Sequence, residues 1–374
     1  MHIFRVIVFM FLFSIYGNLF GFEVKNSNTP SKGTWDFKMQ YVWSVSEAGE
    51  NLFSIIDDFK CADNGTLYVM DRKLFTIYCF DQEGKFLTSF GKRGIGPGEF
   101  STLRSLYLLK DVLIIVDDLN IHYYSLNGKY IKSFPNQHIN LSPVSFINPD
   151  KFISVTTFAG ADNSSDMGSV AINDIKNKKK IDLFQFPKWK QGVITVQKIE
   201  GNMTSTTNYS YSASLLTPGM ILFSQKGKLY FGMNNEYLIK VMDLNGKEIF
   251  HFSLDREKIK ASSALKDKIA NGFNLPDDIK KQIRKKLPDE LNFFDEIYVD
   301  EKGFIYICAN GSGEDNIKNI DIFSNTGKYI YKSNVFVDKK YSIKNLYFKG
   351  NVMYANLLLD GDELIGKYKI QLPK

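Results

Sequence analysis

The ten residues Gly91–Phe100, GKRGIGPGEF, are dense enough in glycine to suggest a phosphate-binding loop. That chemistry requires the loop to open a helix after a strand, or to end in Gly-Lys-Ser/Thr. Here the run ends in Pro97-Gly98-Glu99-Phe100 and no helical pattern follows, which argues against nucleotide binding. Metal chemistry has little more to work with. Beyond the N-terminal segment only His122, His138 and His251 remain, and His122 and His251 fall in outer-half strands of different repeats. A zinc centre needs converging ligands. Cys61, Cys79 and Cys308 form neither a CxxC pair nor a regular framework, so they read as buried free thiols. No Ser-His-Asp order is visible. Asp71, Asp117, Asp118, Asn234 and Asn310 each follow a short apolar run, where bonding to their own turns accounts for them.

Two segments carry side chains suited to contact. Pro187–Pro218 holds Trp189, Lys190, Tyr209 and Tyr211 among many Ser, Thr and Asn. Aromatics beside adaptable polar groups suit a protein or carbohydrate surface, although packing of the loop on the body explains them equally. Arg256–Leu291 is helical in pattern: Ile259, Leu265 and Ile269 make one stripe, and Pro276-Asp277-Asp278 starts a second before Ile279, Ile283 and Leu287. Lys280, Lys281, Arg284, Lys285 and Lys286 form a basic cluster, either a solvated face or a dock for an acidic partner. The partner-binding candidates are therefore Trp189, Lys190, Tyr209, Tyr211, Lys280, Lys281, Arg284 and Lys285. No catalytic, cofactor or metal residue is assigned.

The whole chain has 374 residues, is 44% hydrophobic and has a formal charge of +6. Its 31 Phe and 20 Tyr fit half-buried pleated surfaces. Arg5 is the only charged side chain in residues 1–22, so removing them leaves 46 basic against 41 acidic groups. That excess is too dispersed for a nucleic-acid face. Arg5 followed by the apolar Val6–Ile15 reads as an export signal over residues 1–22, giving a periplasmic or extracellular protein. An uncleaved anchor over Ile3–Phe22 is the alternative, and would be the one route to a membrane. Residues 23–35, EVKNSNTPSKGTW, read as a flexible lead-in.

Behind these residues stands a repeat. Its clearest copy runs from Phe59 to Phe90, FKCADNGTLYVMDRKLFTIYCFDQEGKFLTSF, as short strands parted by Asp, Asn and Gly turns. Copies follow at VLIIVDD with IHYYSLNGKYIKSF, at KFISV with VAINDIKNKKKIDLFQF, at GKLYFGMNNEYLIKVMDLNGKEIFHF, at GFIYICAN with IDIFSNTGKYIYKS, and at NVMYANL with LIGKYKIQL. The marker before each outer strand is Gly84-Lys85, Gly128-Lys129, Gly246-Lys247 and Gly327-Lys328, with Asn177-Lys178 in the third copy. Glycine there serves a tight turn, and the lysine blunts an exposed edge. The last copy lacks a strand, which Asp36–Val45 can supply.

GKRGIGPGEF, followed by a strand and then VDD, resembles the linker of NHL-repeat propellers, and the layout over residues 36–372 resembles exported bacterial six-bladed propellers. The resemblance implies an all-β six-bladed β-propeller over residues 36–374, of four-stranded antiparallel blades closed by an N-terminal strand, with a helical insertion at about residues 256–291. Long segments gather over blades three to five, on the face of the blade-to-blade linkers and the turns between second and third strands. The expected function is a non-enzymatic binding or scaffolding module for a protein or glycan partner, without cofactor. Some propellers of this type are lactonases or lyases that hold calcium or zinc on the central axis. First strands such as SLYLL and MILFS lack the ligands for that alternative.

Overall fold

The computed structural model describes residues 21–136, 141–156, 167–187, 192–200, 203–211, 215–311 and 315–373. The export segment up to residue 20, His138, Trp189, Lys190 and most of the turn expected over Phe158–Gly168 lie outside the described residues. Runs such as 67–70 (LYVM) and Val112–Val116 are apolar at every position and buried almost throughout, as strands covered on both faces must be. They assemble into six four-stranded antiparallel blades, one of them extended by a fifth, parallel strand, and the chain is an all-β six-bladed propeller with two helices among the described residues. No helix among them is long and apolar enough to cross a membrane.

The chain divides into two compact units. The first contains blade 1 (Ile56–Cys61, Leu67–Asp71, Thr76–Phe80, Phe86–Phe90) and blade 2 (Ser105–Leu109, Val112–Val116, Asn120–Ser125, Tyr130–Pro135). It also contains blade 3 (Leu141–Asn148, Lys151–Thr156, Met167–Asp174, Lys179–Pro187) and blade 6 (Ser342–Lys349, Val352–Leu359, Asp362–Lys369). The missing strand of blade 6 is Gln40–Val45, antiparallel to Asp362–Lys369 with Trp43 opposite Lys367.

Two devices recur. The first is a buried Asp or Asn where the second strand ends. Asp71 accepts from its own turn (Lys73 N and Leu74 N, both 3.0 Å) and also from the chain entering the blade (Ser54 N 2.6 Å, Ile55 N 3.3 Å). Asp117 repeats this with Leu119 N (2.8 Å) and Ser101 N (2.9 Å). The residues expected to serve only their own turns therefore also fasten the incoming linker.

The second device joins neighbouring blades. Gly84 and Gly128 have φ of +83° and +80°, as their turns require. A Cβ at Gly84 would stand 2.9 Å from the Trp43 ring, and one at Gly128 would stand 2.6 Å from the Phe90 ring. An outer-strand aromatic of one blade thus lies on the turn glycine of the next. In blade 3 the residue with positive φ is Lys178 (+50°), so Lys178 occupies the glycine position, and the marker expected at Asn177-Lys178 is displaced by one. The blade 3 turn holds one more residue, since Asp174 pairs with Lys179 around four residues.

The second unit holds blade 4 (Met220–Gln225, Lys228–Met233, Leu238–Asp243, Glu248–Asp255) and most of blade 5 (Phe294–Val299, Ile305–Ala309, Ile317–Phe323, Tyr329–Phe336). Phe252 meets Gly327 as Phe90 meets Gly128. The lead-in expected to be flexible is instead structured. Phe22–Ser27 pairs in parallel with Glu248–Asp255 as a fifth strand, and Phe22 stacks on Phe250 at 5.3 Å. The chain continues along blade 5, with Lys32 N donating to Ile330 O (2.8 Å) and Lys332 N to Gly33 O (3.0 Å). The outer strand of blade 4 offers unpaired N–H and C=O groups, and this polar segment satisfies them.

Gly128→Ala should cost about 2–4 kcal/mol, combining a left-handed Cβ with overpacking against Phe90. Gly227, at φ +73° with nothing within 4 Å of its Cβ direction, should lose only about 1–2 kcal/mol as alanine. Urea midpoints of the two variants check this, and equal losses would remove the aromatic contact from the account.

Candidate functional site

The two segments expected to bind partners form one body. Pro187–Pro218, expected as a loop, contains a hairpin of Gly192–Glu200 and Met203–Tyr211, with Ile194 opposite Tyr209 and Gly192 opposite Tyr211. Tyr209 and Tyr211 therefore take alternate positions on its second strand. The helices are α1 (Ser263–Asn271) and α2 (Asp277–Lys286). Ser262 caps α1 by accepting from Leu265 N at 3.1 Å. Helix α2 has Asp277 and Asp278 in its first turn and Arg284, Lys285 and Lys286 in its last, each sign facing the favourable end of the helix dipole.

Ile279, Ile283 and Leu287 bury one side of α2 against Ile194 of the hairpin, with Leu216 and Leu291, and Leu265 and Ile269 of α1 pack on the same core. Three backbone bonds close its base: Ala261 N to Asp289 O, Leu291 N to Ile259 O and Asn292 N to Leu215 O, each 2.8 Å. The basic cluster is divided. Arg284 is committed to the module, pairing with Asp267 of α1 and donating to Ser263 Oγ at 2.6 Å. The Arg284 guanidinium also holds the Asp267 carboxyl below the usual carboxylate range. Lys280 pairs with Asp277 at 3.4 Å. Lys281 and Lys285 are exposed and have no ion-pair partner among the described residues.

The module is rooted in a group that the sequence did not single out. Arg256, one residue beyond blade 4, forms a two-pronged pair with Asp321 of blade 5 (Nη1–Oδ2 2.6 Å, Nη2–Oδ1 2.9 Å). Tyr237 and Tyr329 donate to the same carboxylate at 2.7 and 2.6 Å, and Arg256 Nε donates to Asn28 Oδ1 at 2.9 Å. Burial, and then the Asp321 charge, push the Tyr237 phenol well above its ordinary value. The only signal in the sequence was an Arg at the end of a strand, which has no partner until the fold brings Asp321 to it.

The first strands are not all free of acidic side chains, although their lack was the ground for setting the lyase or lactonase alternative aside. Blade 1 carries Asp57 and Asp58, but Arg72 pairs with Asp57, while Asp58 pairs with Lys60 and accepts from Leu106 N at 3.0 Å. Among the described residues no three His, Cys, Asp or Glu converge. His122 Nε2 lies 3.2 Å from buried Asp117, and His251 Nδ1 lies 2.7 Å from Glu248. The three cysteines are free and buried, and burial pushes the Cys79 thiol up to about 12.

Residues 47–219 match the family described as six-bladed β-propeller. The fold is similar to that of a candidate exported protein of Bacteroides fragilis, with TM-score 0.54 and 11% identity over 94% of this chain and 100% of that one. A DUF4221-family protein of Bacteroides vulgatus is similar at TM-score 0.56 and 11% identity, over 90% of this chain and 99% of that one. Virginiamycin B lyase of Staphylococcus aureus is matched at TM-score 0.47 and 11% identity over 90% and 100% of the two chains, too loosely to bear on activity. No curated protein matches the chain.

Asp321→Asn should cost about 3–5 kcal/mol, because it leaves Arg256 without its countercharge beside two buried phenols. Asp267→Asn, which breaks an exposed pair, should leave the unfolding midpoint almost unchanged. Denaturant titration of the two variants separates a root from a surface contact.

Proposed function

We propose that this six-bladed propeller is an exported, non-enzymatic binding or scaffolding module that presents its hairpin and helices to a protein or glycan. One observation carries the reading: Ile194 of one insertion and Ile279 and Ile283 of the other share a core that belongs to no blade. A propeller does not need that core to fold. Chain kept outside a scaffold's own sheets, and rooted by a buried Arg–Asp pair, is chain positioned for contact. The outward residues suit it. Lys281, Gln282 and Lys285 are exposed on α2, and Thr206 and Thr207 are exposed on the hairpin. Exposed lysines and hydroxyls suit an acidic protein surface or a hydroxyl-rich glycan. A leader ahead of residue 22 accounts for export.

Lys281→Glu with Lys285→Glu should reduce capture of the partner from an exported-protein fraction, or of glycans on an array, at least tenfold. The melting temperature should stay within a few degrees, since both side chains are exposed. Undiminished capture of every ligand by this variant would count against the face.

A further inference from the structure

We infer that a cavity between blades 2 and 3 is a binding site for a small amphipathic anion, a carboxylate carrying an apolar body. Within the first unit, each described turn of this kind is closed by an aromatic from the preceding blade, except at one place. Trp43 covers Gly84 and Phe90 covers Gly128. The matching outer-strand aromatic of blade 2 is Phe134, and the matching turn residue of blade 3 is Lys178. In place of a closed contact there is a cavity of about 350 Å³ lined by both, with Phe152 and Ile175 as further apolar wall, Asn173 in its lining and Lys179 beside Lys178.

The lysines point to an anion, the aromatic walls to an apolar body, and two further features mark the cavity as more than a packing gap. The backbone of Lys178 sits at φ +50°, a left-handed conformation disfavoured for a lysine, where the turns of blades 1, 2, 4 and 5 have glycine at +83°, +80°, +84° and +81°. Strain retained at one member of a repeat, against the glycine used elsewhere, marks a site selected for something other than stability. The cations there are unclaimed. Asp174, a carboxylate in the same lining, is taken up by Asn177 N and Asn177 Nδ2, both at 2.9 Å, and by Lys151 at 3.5 Å. Lys180 pairs with Asp182 at 3.0 Å, so Lys178 and Lys179 have no ion-pair partner among the described residues. The polar lining is also incompletely satisfied: Asn173, 4% exposed, donates to Ser154 Oγ at 2.7 Å while its Oδ1 has no partner. An apolar body fits between Phe134 and Phe152, and a carboxylate at the mouth meets two lysines that nothing else neutralises.

Titration calorimetry of the full-length protein with sodium octanoate, and separately with 1-octanol, tests this. Octanoate should saturate a single site and bind at least tenfold more tightly than octanol. Lys179→Glu should weaken octanoate at least tenfold with an unchanged urea midpoint. Lys178→Gly should weaken octanoate while raising that midpoint, because it removes both a charge and a strained backbone. No saturable octanoate binding, equal binding of octanol, or unchanged affinity in Lys179→Glu would each overturn the inference. Lys179→Glu carries the test if Lys178→Gly does not fold.

Discussion

A blade must hold the chain where it enters, and in blades 1 and 2 a buried Asp at the end of the second strand does so. Asp71 and Asp117 face N–H groups alone, and a carboxylate with four lone-pair sites can accept them all. In blade 4 the position is Asn234, which accepts from Gly219 N at 2.7 Å, and elsewhere an Asn reaches a carbonyl instead. Asn310 Nδ2 donates to Asn292 O at 2.9 Å, and Asn356 Nδ2 donates to Ile56 O at 3.1 Å. In blade 6 the two roles are split, since Glu363 accepts from Ile56 N (2.9 Å) while Lys344 supplies its countercharge at 2.8 Å. Burial raises the Asp117 carboxyl, but His122 and the backbone N–H groups of Ser101 and Asn120 outweigh it and hold the group below its ordinary value.

Anchoring each blade does not by itself register one blade against the next. In the first unit that register comes from Trp43 on Gly84 and Phe90 on Gly128, contacts that admit no Cβ. The same glycine therefore answers two demands, a left-handed turn and a ring lying against it. Lys178 meets the first demand under strain and cannot meet the second, so blades 2 and 3 meet more loosely. Such a gap costs packing, and proteins keep local inconsistencies of this kind mainly where a site needs them.

Much of this was legible beforehand because propeller information is local. Asp81–Gly84 and Ser125–Gly128 repeat one turn with one chemistry, and the strands between them are short and apolar. The strand Gln40–Val45 was legible as an aromatic run lacking a sheet. What was not legible depends on partners distant in sequence. Phe22–Ser27 is polar and alternately exposed, like a lead-in, and becomes a strand because the edge of Glu248–Asp255 is there to receive it. Arg256 gave no hint of Asp321, 65 residues away. The charged cluster on α2 was visible, but its division was not, because Arg284 belongs with Asp267 only once the helices fold against each other. Asp57 and Asp58 were read past because the first strands weighed for ligands, SLYLL and MILFS, are apolar.

The two longest additions lie between blades, residues 188–219 between blades 3 and 4 and residues 256–293 between blades 4 and 5. Neither insertion is stable by itself. A lone two-stranded hairpin is marginal in water, and α1 and α2, at 9 and 10 residues, fall short of the roughly 12–15 at which isolated helices persist. Each supplies the apolar surface the other lacks, with Ile194 meeting Ile279 and Ile283. Two insertions on either side of blade 4 thus make one structural unit, and a change that unfolds either should release both. That dependence couples the two insertions, although the whole of blade 4 separates them in sequence.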